Sequence, residues 1–369
     1  MAIKVFYDHQ AFCLQRFGGV SRYFVELISH LPSEVQANLP GLLTDNAYVE
    51  ALHTDRFIKR LPALFPRRQR FVEWLNRINS VWPLMRCQYD VIHATYYSPY
   101  VMSKLGKAKL VITVHDMIHE KFPHFFKHRD NTAKHKQMLV TAADHIYVVS
   151  ESTRRDLMAY YQVPEEKITT TYLASNMTYD KQPLSASLCP FPLNHRYVLF
   201  VGGRGGYKNF CDMLRAIAPL LTEHDLQLWC IGGGAFNPCE QELAAAHGVA
   251  DRLFQSAVSD EDMACIYSHA LCFIFPSWYE GFGIPLLEAF QCHCPVVCSN
   301  GSSLGEVSAG AALCFDPYSI ADMRTQIAKM LSSSQVRNSY IEAGIKRAKP
   351  FSWRKTADQT AQLYTSLLG

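Results

Sequence analysis

Short apolar runs alternate with amphipathic stretches along nearly the whole chain, and this alternation constrains the fold more than any other feature of the sequence. A strand covered on both faces reads as a continuous apolar run, and a parallel neighbour requires a crossover helix before the next one. Residues 4–7, 91–94, 110–114 and 145–150 read as such strands, with helices over 20–31, 133–143 and 153–160. Ser150-Glu151-Ser152 supplies amino-terminal capping chemistry for the last of these. Between residues 176 and 195 the pattern lapses into Pro183, Pro190, Pro192 and several serines without a sustained period. It then restarts, with strands over 197–201, 226–231, 271–275 and 295–299 and helices over 210–221, 240–247, 260–268 and 285–290. The reading is two doubly wound α/β domains, residues 1–180 and 196–350, joined by a linker at 181–195. A closing helix over 351–369 begins at Phe351-Ser352-Trp353. The 369 residues are enough for two such domains.

Bulk properties remove several function classes. A net charge of +3 is too small to argue for nucleic acid, and nothing in the sequence resembles a nucleic-acid-binding module. Met1 is followed by Ala-Ile-Lys-Val-Phe-Tyr, which reads as a buried strand in place of a signal peptide. No apolar run is long enough to span a bilayer. The 12 cysteines are scattered in apolar surroundings, as at Cys230, Cys272 and Cys298, which suits buried free thiols in the cytosol.

The segment from Pro276 to Phe290 carries the most chemistry. It follows an apolar strand, at the carboxyl end where open α/β sheets bind ligands. Gly281 and Gly283 permit a tight loop, and Pro285 suits the first turn of a helix whose free amides form an anion site. Glu280 lies in the loop and Glu288 on the helix, so two carboxylates can take hydroxyls at separate ends of one ligand. A second loop, Val201-Gly202-Gly203-Arg204-Gly205-Gly206-Tyr207-Lys208-Asn209, also follows a strand. Arg204 and Lys208 there can neutralise phosphate oxygens. Its glycine order differs from the dinucleotide fingerprint. A third glycine turn, Phe17-Gly18-Gly19, opens the first helix. Charged helix starts and solvated glycine turns are the bland readings of each motif taken alone.

Other clusters carry less. His115, His119, His124 and His128 lack the zincin pattern, because Pro123 interrupts the helix where a second histidine belongs, so no metal site is expected. Cys292-His293-Cys294 with Cys298 reads as packing and a turn. From Arg56 to Arg86 eight basic residues face the single acid Glu73, with Phe71, Trp74, Ile78 and Trp82 interleaved. That composition suits a helix lying on an anionic membrane as well as it suits an ordinary solvated face.

Taken in order, the amino-terminal Gly-Gly turn, Thr113-Val114-His115-Asp116, the Gly-Gly-Arg…Lys-Asn loop and Glu280…Glu288 resemble family 4 of retaining glycosyltransferases. The resemblance covers essentially the whole chain. It implies the GT-B fold, two Rossmann-like domains facing a central cleft, with acceptor bound by the first and nucleotide-sugar by the second. It implies that Glu288 holds the ribose, that Glu280 binds the transferred sugar, and that Arg204 and Lys208 stabilise the diphosphate. Backbone at Gly203, Phe282, Gly283 and Ile284, and Gly19 from the first domain, would touch phosphate or sugar. Val258 would pack the base, and His115 would lie near the reacting carbon.

Relatives with the same Gly-Gly-Arg-Gly-Gly loop build mannose-containing chains. The implied reaction is therefore metal-independent, cofactor-free transfer of mannose from GDP-mannose, with retention, onto a growing glycan or lipid-linked saccharide. The place is the synthesis of a surface polysaccharide such as lipopolysaccharide, in the cytoplasm and peripheral to the membrane. A nucleotide-sugar epimerase of the same fold, or a non-catalytic nucleotide-sugar-binding partner, are the alternatives.

Overall fold

The computed structural model describes residues 2–52, 58–59, 68–86, 88–179 and 195–369. Most of the proposed linker, and Arg56, Arg60 and Arg67 of the basic stretch, lie outside them. The chain forms two compact units, residues 1–173 with 352–369, and residues 174–351. Residues 174–179 thus group with the second unit, although the sequence pattern assigns them to the first.

In the first unit the strands are β1 (Ile3–Tyr7), β2 (Val35–Asn38), a two-stranded ribbon of β3 (Leu42–Leu43) and β4 (Ile58–Lys59), β5 (Val91–Ala94), β6 (Lys109–Val114), β7 (His145–Val148) and β8 (Ile168–Thr170). All but the ribbon form one parallel sheet ordered β2-β1-β5-β6-β7-β8. Its helices are α1 (Ala11–Leu14), α2 (Gly19–His30), α3 (Arg68–Arg86), α4 (Ile118–Lys121), α5 (Thr132–Ala142) and α6 (Glu151–Tyr161). Ser150 caps α6 as expected, accepting from the Thr153 amide.

In the second unit β9 (Tyr197–Val201), β10 (Gln227–Ile231), β11 (Leu253–Ser256), β12 (Phe273–Phe275), β13 (Val296–Ser299) and β14 (Leu313–Phe315) form a parallel sheet ordered β11-β10-β9-β12-β13-β14. Numbered within the unit this is 3-2-1-4-5-6, the doubly wound order whose ligand crevice opens where the winding reverses. The helices are α7 (Phe210–Glu223), α8 (Pro238–Ala246), α9 (Asp260–His269), α10 (Ile284–Gln291), α11 (Ser302–Ser308), α12 (Ile320–Ser332) and α13 (Ser334–Ala348). On α7, Phe210, Met213, Leu214, Ile217 and Leu221 recur at three- and four-residue spacing and are buried in one core with Val198, Phe200, Leu228 and Cys230.

The last helix, α14 (Trp353–Leu368), belongs to the first unit. Trp353, Thr356, Ala357, Thr360, Ala361 and Tyr364 form its buried stripe, small residues alternating with two large anchors. The Tyr364 hydroxyl bonds His93 Nδ1 at 2.6 Å and the Tyr7 hydroxyl at 2.9 Å, while His93 Nε2 bonds Thr113 Oγ1 at 2.9 Å. Tyr147 donates to the Thr360 carbonyl at 2.9 Å. Three sheet strands are thus tied to α14 by polar groups with no access to water.

On α3, Asn76, Ser80 and Leu84 face inward at four-residue spacing. Asn76 both accepts from the Leu43 amide and donates to its carbonyl, and Ser80 bonds His9 Nδ1 at 2.7 Å. The opposite face shows Phe71, Trp74, Ile78, Trp82 and Met85, 44–67% exposed. Among the described residues no helix is long and apolar enough to cross a membrane.

Burial holds His93 neutral, lowering its imidazole to about 3, with the charge of nearby His115 adding to the effect. An unfolded chain protonates the same histidine at about 6.5. The unfolded state therefore binds more protons in that interval, so the stability owed to neutral His93 is complete above about pH 6.5 and is lost as pH falls below it. Each such group contributes at most about 1.4 kcal/mol per pH unit. The urea midpoint is expected to fall between pH 7 and 4.5, and His93→Gln to flatten that fall. Equal slopes in the two proteins would remove His93 from the account.

Candidate active site

The winding of the second sheet reverses between β9 and β12, and the loops leaving their carboxyl ends are the two that the sequence singles out. Three main-chain carbonyls and one amide knit these loops together. Asn209, in the left-handed conformation with φ of 57°, donates to the carbonyls of Pro276 at 3.2 Å and Pro317 at 2.8 Å. The Trp278 amide donates to the Tyr207 carbonyl at 2.8 Å.

Across this seam Lys208 Nζ lies 2.7 Å from Glu280 Oε1. Ser277 donates to the same oxygen at 2.6 Å. No described residue is hydrogen-bonded to Oε2, which leaves one carboxylate oxygen for a ligand. The Glu280 main chain is held as firmly. Its amide donates to Ser302 Oγ at 2.9 Å, and Ser303 Oγ lies 2.8 Å from its carbonyl and 3.0 Å from that of Phe282. Lys208 is a quarter exposed, so the cation is reachable from solvent.

Gly283 starts α10 with φ of 97°, and a Cβ there would lie 2.6 Å from Leu304 Cδ2. Pro285 falls in the first turn, as the sequence suggests. Glu288, one turn further along α10, is buried and accepts from the Tyr267 hydroxyl at 3.3 Å. Burial first, and then the Glu288 charge, push that phenol well above its ordinary value, so Tyr267 stays a donor. Phe282 is buried edge-on to Phe351, and Ile284 is half-buried. Val258 sits half-exposed just past β11, at the carboxyl end of the same sheet. Gly203 lies exposed, with open space where a side chain would go.

Arg204 is placed differently from Lys208. Its side chain is 3% exposed and its guanidinium is engaged within the protein. Nε lies 3.2 Å from Glu240 Oε1, and Nη1 and Nη2 donate to the carbonyls of Gly232, Gly234 and Ala235. Glu240 also closes the capping box of α8 with Asn237. Of the two cations expected to face phosphate together, one braces the glycine turn after β10 and the other stands beside Glu280.

The remaining two site residues lie in the first unit. Gly19 opens α2 and is exposed. His115, at the end of β6, donates its amide to the Tyr97 hydroxyl at 3.1 Å. Its Nε2 is buried without a hydrogen-bond partner among the described residues. Burial lowers its imidazole to about 4, opposed by Asp116 and aided by Lys136, so at neutral pH the ring is uncharged. Lys136 is fully buried, donating to the Asp116 carbonyl at 2.8 Å and to Glu120 at 2.9 Å. No role is assigned from sequence to Lys136, Ser302 or Ser303, whose partners lie 16 or more residues away, nor to Ser277 and Asn209, which are read only as members of their loops.

The family model described as Glycosyl transferases group 1 matches residues 189–347, and that described as Glycosyltransferase Family 4 matches residues 17–174. Between them they span both units. The chain belongs to glycosyltransferase family 4. It is 27% identical to O-antigen chain mannosyltransferase B of Escherichia coli, over 95% of this chain and 96% of that one. Its fold is similar to sucrose-phosphate synthase from Thermosynechococcus elongatus, with a TM-score of 0.76, 19% identity and coverage of 100% and 99% of the two chains. Anabaena Alr3699/HepE, solved with UDP and glucose, gives a TM-score of 0.75 at 15% identity, over 99% of this chain and 100% of that one. These structures share the GT-B fold of two parallel Rossmann-like domains. The family 4 chain described here is accordingly a glycosyltransferase.

The two cations predict unequal stability effects. Arg204→Met leaves Glu240 buried and unpaired, an expected loss of about 3–5 kcal/mol in urea unfolding. Lys208→Met, at a partly solvated pair, is expected to cost less than about half of that. Equal losses would mean that Arg204 is not the structural cation.

Proposed function

We propose that this glycosyltransferase transfers mannose from GDP-mannose, with retention of configuration, onto the end of a growing surface glycan. The observation that carries the site assignment is the Glu280–Lys208 pair at the reversal of the second sheet. In this reading Glu280 Oε2 takes hydroxyls of the transferred mannose, and Glu288 takes the ribose hydroxyls of the nucleotide. Departure of GDP builds negative charge on a phosphate oxygen. Lys208 and the amino end of α10 stabilise that charge more in the transition state than in the bound donor. Arg204 acts one step back, by fixing the turn at residues 232–235. Val258 packs the guanine, and the neutral imidazole of His115 serves the mannose. The named mannosyltransferase relative supports the choice of sugar. The first unit binds the acceptor.

We also place the exposed face of α3 on anionic lipid, the setting of a lipid-linked acceptor. Phe71, Trp74, Ile78, Trp82 and Met85 would enter the interface, and the basic stretch from Arg56 to Arg86 would meet the headgroups. Binding to anionic vesicles is expected to weaken in Trp74→Ser with Trp82→Ser, and undiminished pelleting rejects this placement.

Thermal shifts with GDP, UDP and ADP test the donor. Saturation at about a hundred times the dissociation constant adds about 2.7 kcal/mol to stability. GDP is expected to give the largest shift, Glu288→Ala to abolish it, and Lys208→Met to lower the transfer rate at least about tenfold with the fold intact. Transfer is expected to survive EDTA, and proton NMR of the product to show the α-anomer. A UDP or ADP preference refutes the guanine donor, and a β-linked product refutes retention.

A further inference from the structure

The first unit contains a cavity of about 830 Å³ at the carboxyl end of its own sheet. It opens between the loop after β1, at His9 to Arg16, and the loop after β5, at Tyr96 to Tyr100. Strands β1 and β5 are the adjacent pair at which this sheet changes winding, since β2 lies to one side and the later strands run to the other. The cavity therefore occupies the position in this unit that the Lys208–Glu280 crevice occupies in the other. Its size is within the range of about 300–1,000 Å³ typical of small-molecule sites.

Its chemistry differs from that of the donor crevice. The charged side chains of its wall are balanced, Asp45 and Glu73 against Arg16 and Arg77. His9 adds no charge at neutral pH, because burial holds its imidazole below the ordinary value against the pull of Asp8. A phosphate or carboxylate ligand would meet as many anions as cations. Tyrosine rings at 96, 97 and 100 line one side, and the guanidinium of Arg77 lies 5.5 Å over the Tyr100 ring. Flat rings beside carboxylates and amides suit a ligand with apolar ring faces and a girdle of hydroxyls. Tyr97 connects the cavity to His115, because its hydroxyl accepts the His115 amide. Glu73 and Arg77 come from α3, one turn apart on the helix that carries the exposed aromatic face.

We propose that this cavity binds a neutral pyranose at the end of the acceptor glycan, with Glu73 receiving its hydroxyls and Tyr96 and Tyr97 covering its ring. The identity of that sugar as mannose and its role as acceptor rest on the proposed function, whereas binding of a neutral saccharide in the cavity does not. The test is saturation-transfer NMR and calorimetry on the full chain with α-mannotriose, maltotriose and chitotriose, for wild type, Glu73→Gln and Tyr96→Ala. The expected result is binding of α-mannotriose that weakens at least about tenfold in each variant, the loss of one charge-assisted bond or one stacking face. The thermal shift with GDP should be unchanged in both variants, which shows that they remain folded. Binding of maltotriose or chitotriose with the same sensitivity supports the site and refutes mannose as acceptor. A failure of GDP to bind refutes the donor assignment and leaves the cavity result standing. Absence of binding by all three saccharides, or binding unchanged in both variants, overturns the proposal.

Discussion

Glu280 is fixed at four points by three serines and a lysine, its carboxylate by Lys208 and Ser277, its amide by Ser302 and its carbonyl by Ser303. A charge so far out of water survives only when paired and hydrogen-bonded, and each partner arrives on a segment that the parallel sheet has already positioned. The arrangement works in both directions. The sheet brings the loops after β9 and β12 together, and the polar bonds across the seam stop either loop from relaxing outward. Gly283 completes the constraint, because only a residue without a side chain can take its backbone angles against Leu304.

The two sheets repeat one principle with different chemistry. Each reverses its winding once, with the Lys208–Glu280 pair at that point in one and the cavity in the other. One is lined by a lysine and two glutamates, suited to a ligand with a diphosphate at one end and hydroxyls at the other. The other is balanced in charge and rich in tyrosine. In the proposed reading such a difference keeps donor and acceptor from exchanging places.

How far the fold was legible follows from burial. The four strands expected in each half are the four central ones, β1, β5, β6 and β7, then β9, β10, β12 and β13. Those that escaped, β2, β8, β11 and β14, are the sheet edges. A central strand is covered on both faces and so reads as an unbroken apolar run, whereas Val-Gln-Ala-Asn in β2 and Ile-Thr-Thr in β8 carry polar residues that an edge tolerates. The site divides in the same manner. Glu280 and Lys208 stood out because each follows a strand within a glycine-containing loop, and Glu288 because it lies on the helix that such a loop opens. The serines that hold Glu280 are ordinary in sequence, and only folding brings Ser302 and Ser303 near. Arg204 looked equivalent to Lys208 until its partner Glu240, 36 residues along the chain, filled its environment.

The closing helix has a consequence for biosynthesis. Tyr364 and Trp353 are core residues of the first unit, yet they are made only after the whole of the second unit. Domains ordinarily fold in the order in which they are made. Here the second unit has its whole chain available while the first still lacks the helix that covers Tyr7, His93 and Tyr147. The first-made half must therefore wait, with part of its sheet uncovered, until α14 has been made. Loss of α14 would spare the second unit and still leave the first unfinished, so a lesion late in the chain should behave as a folding defect of its beginning.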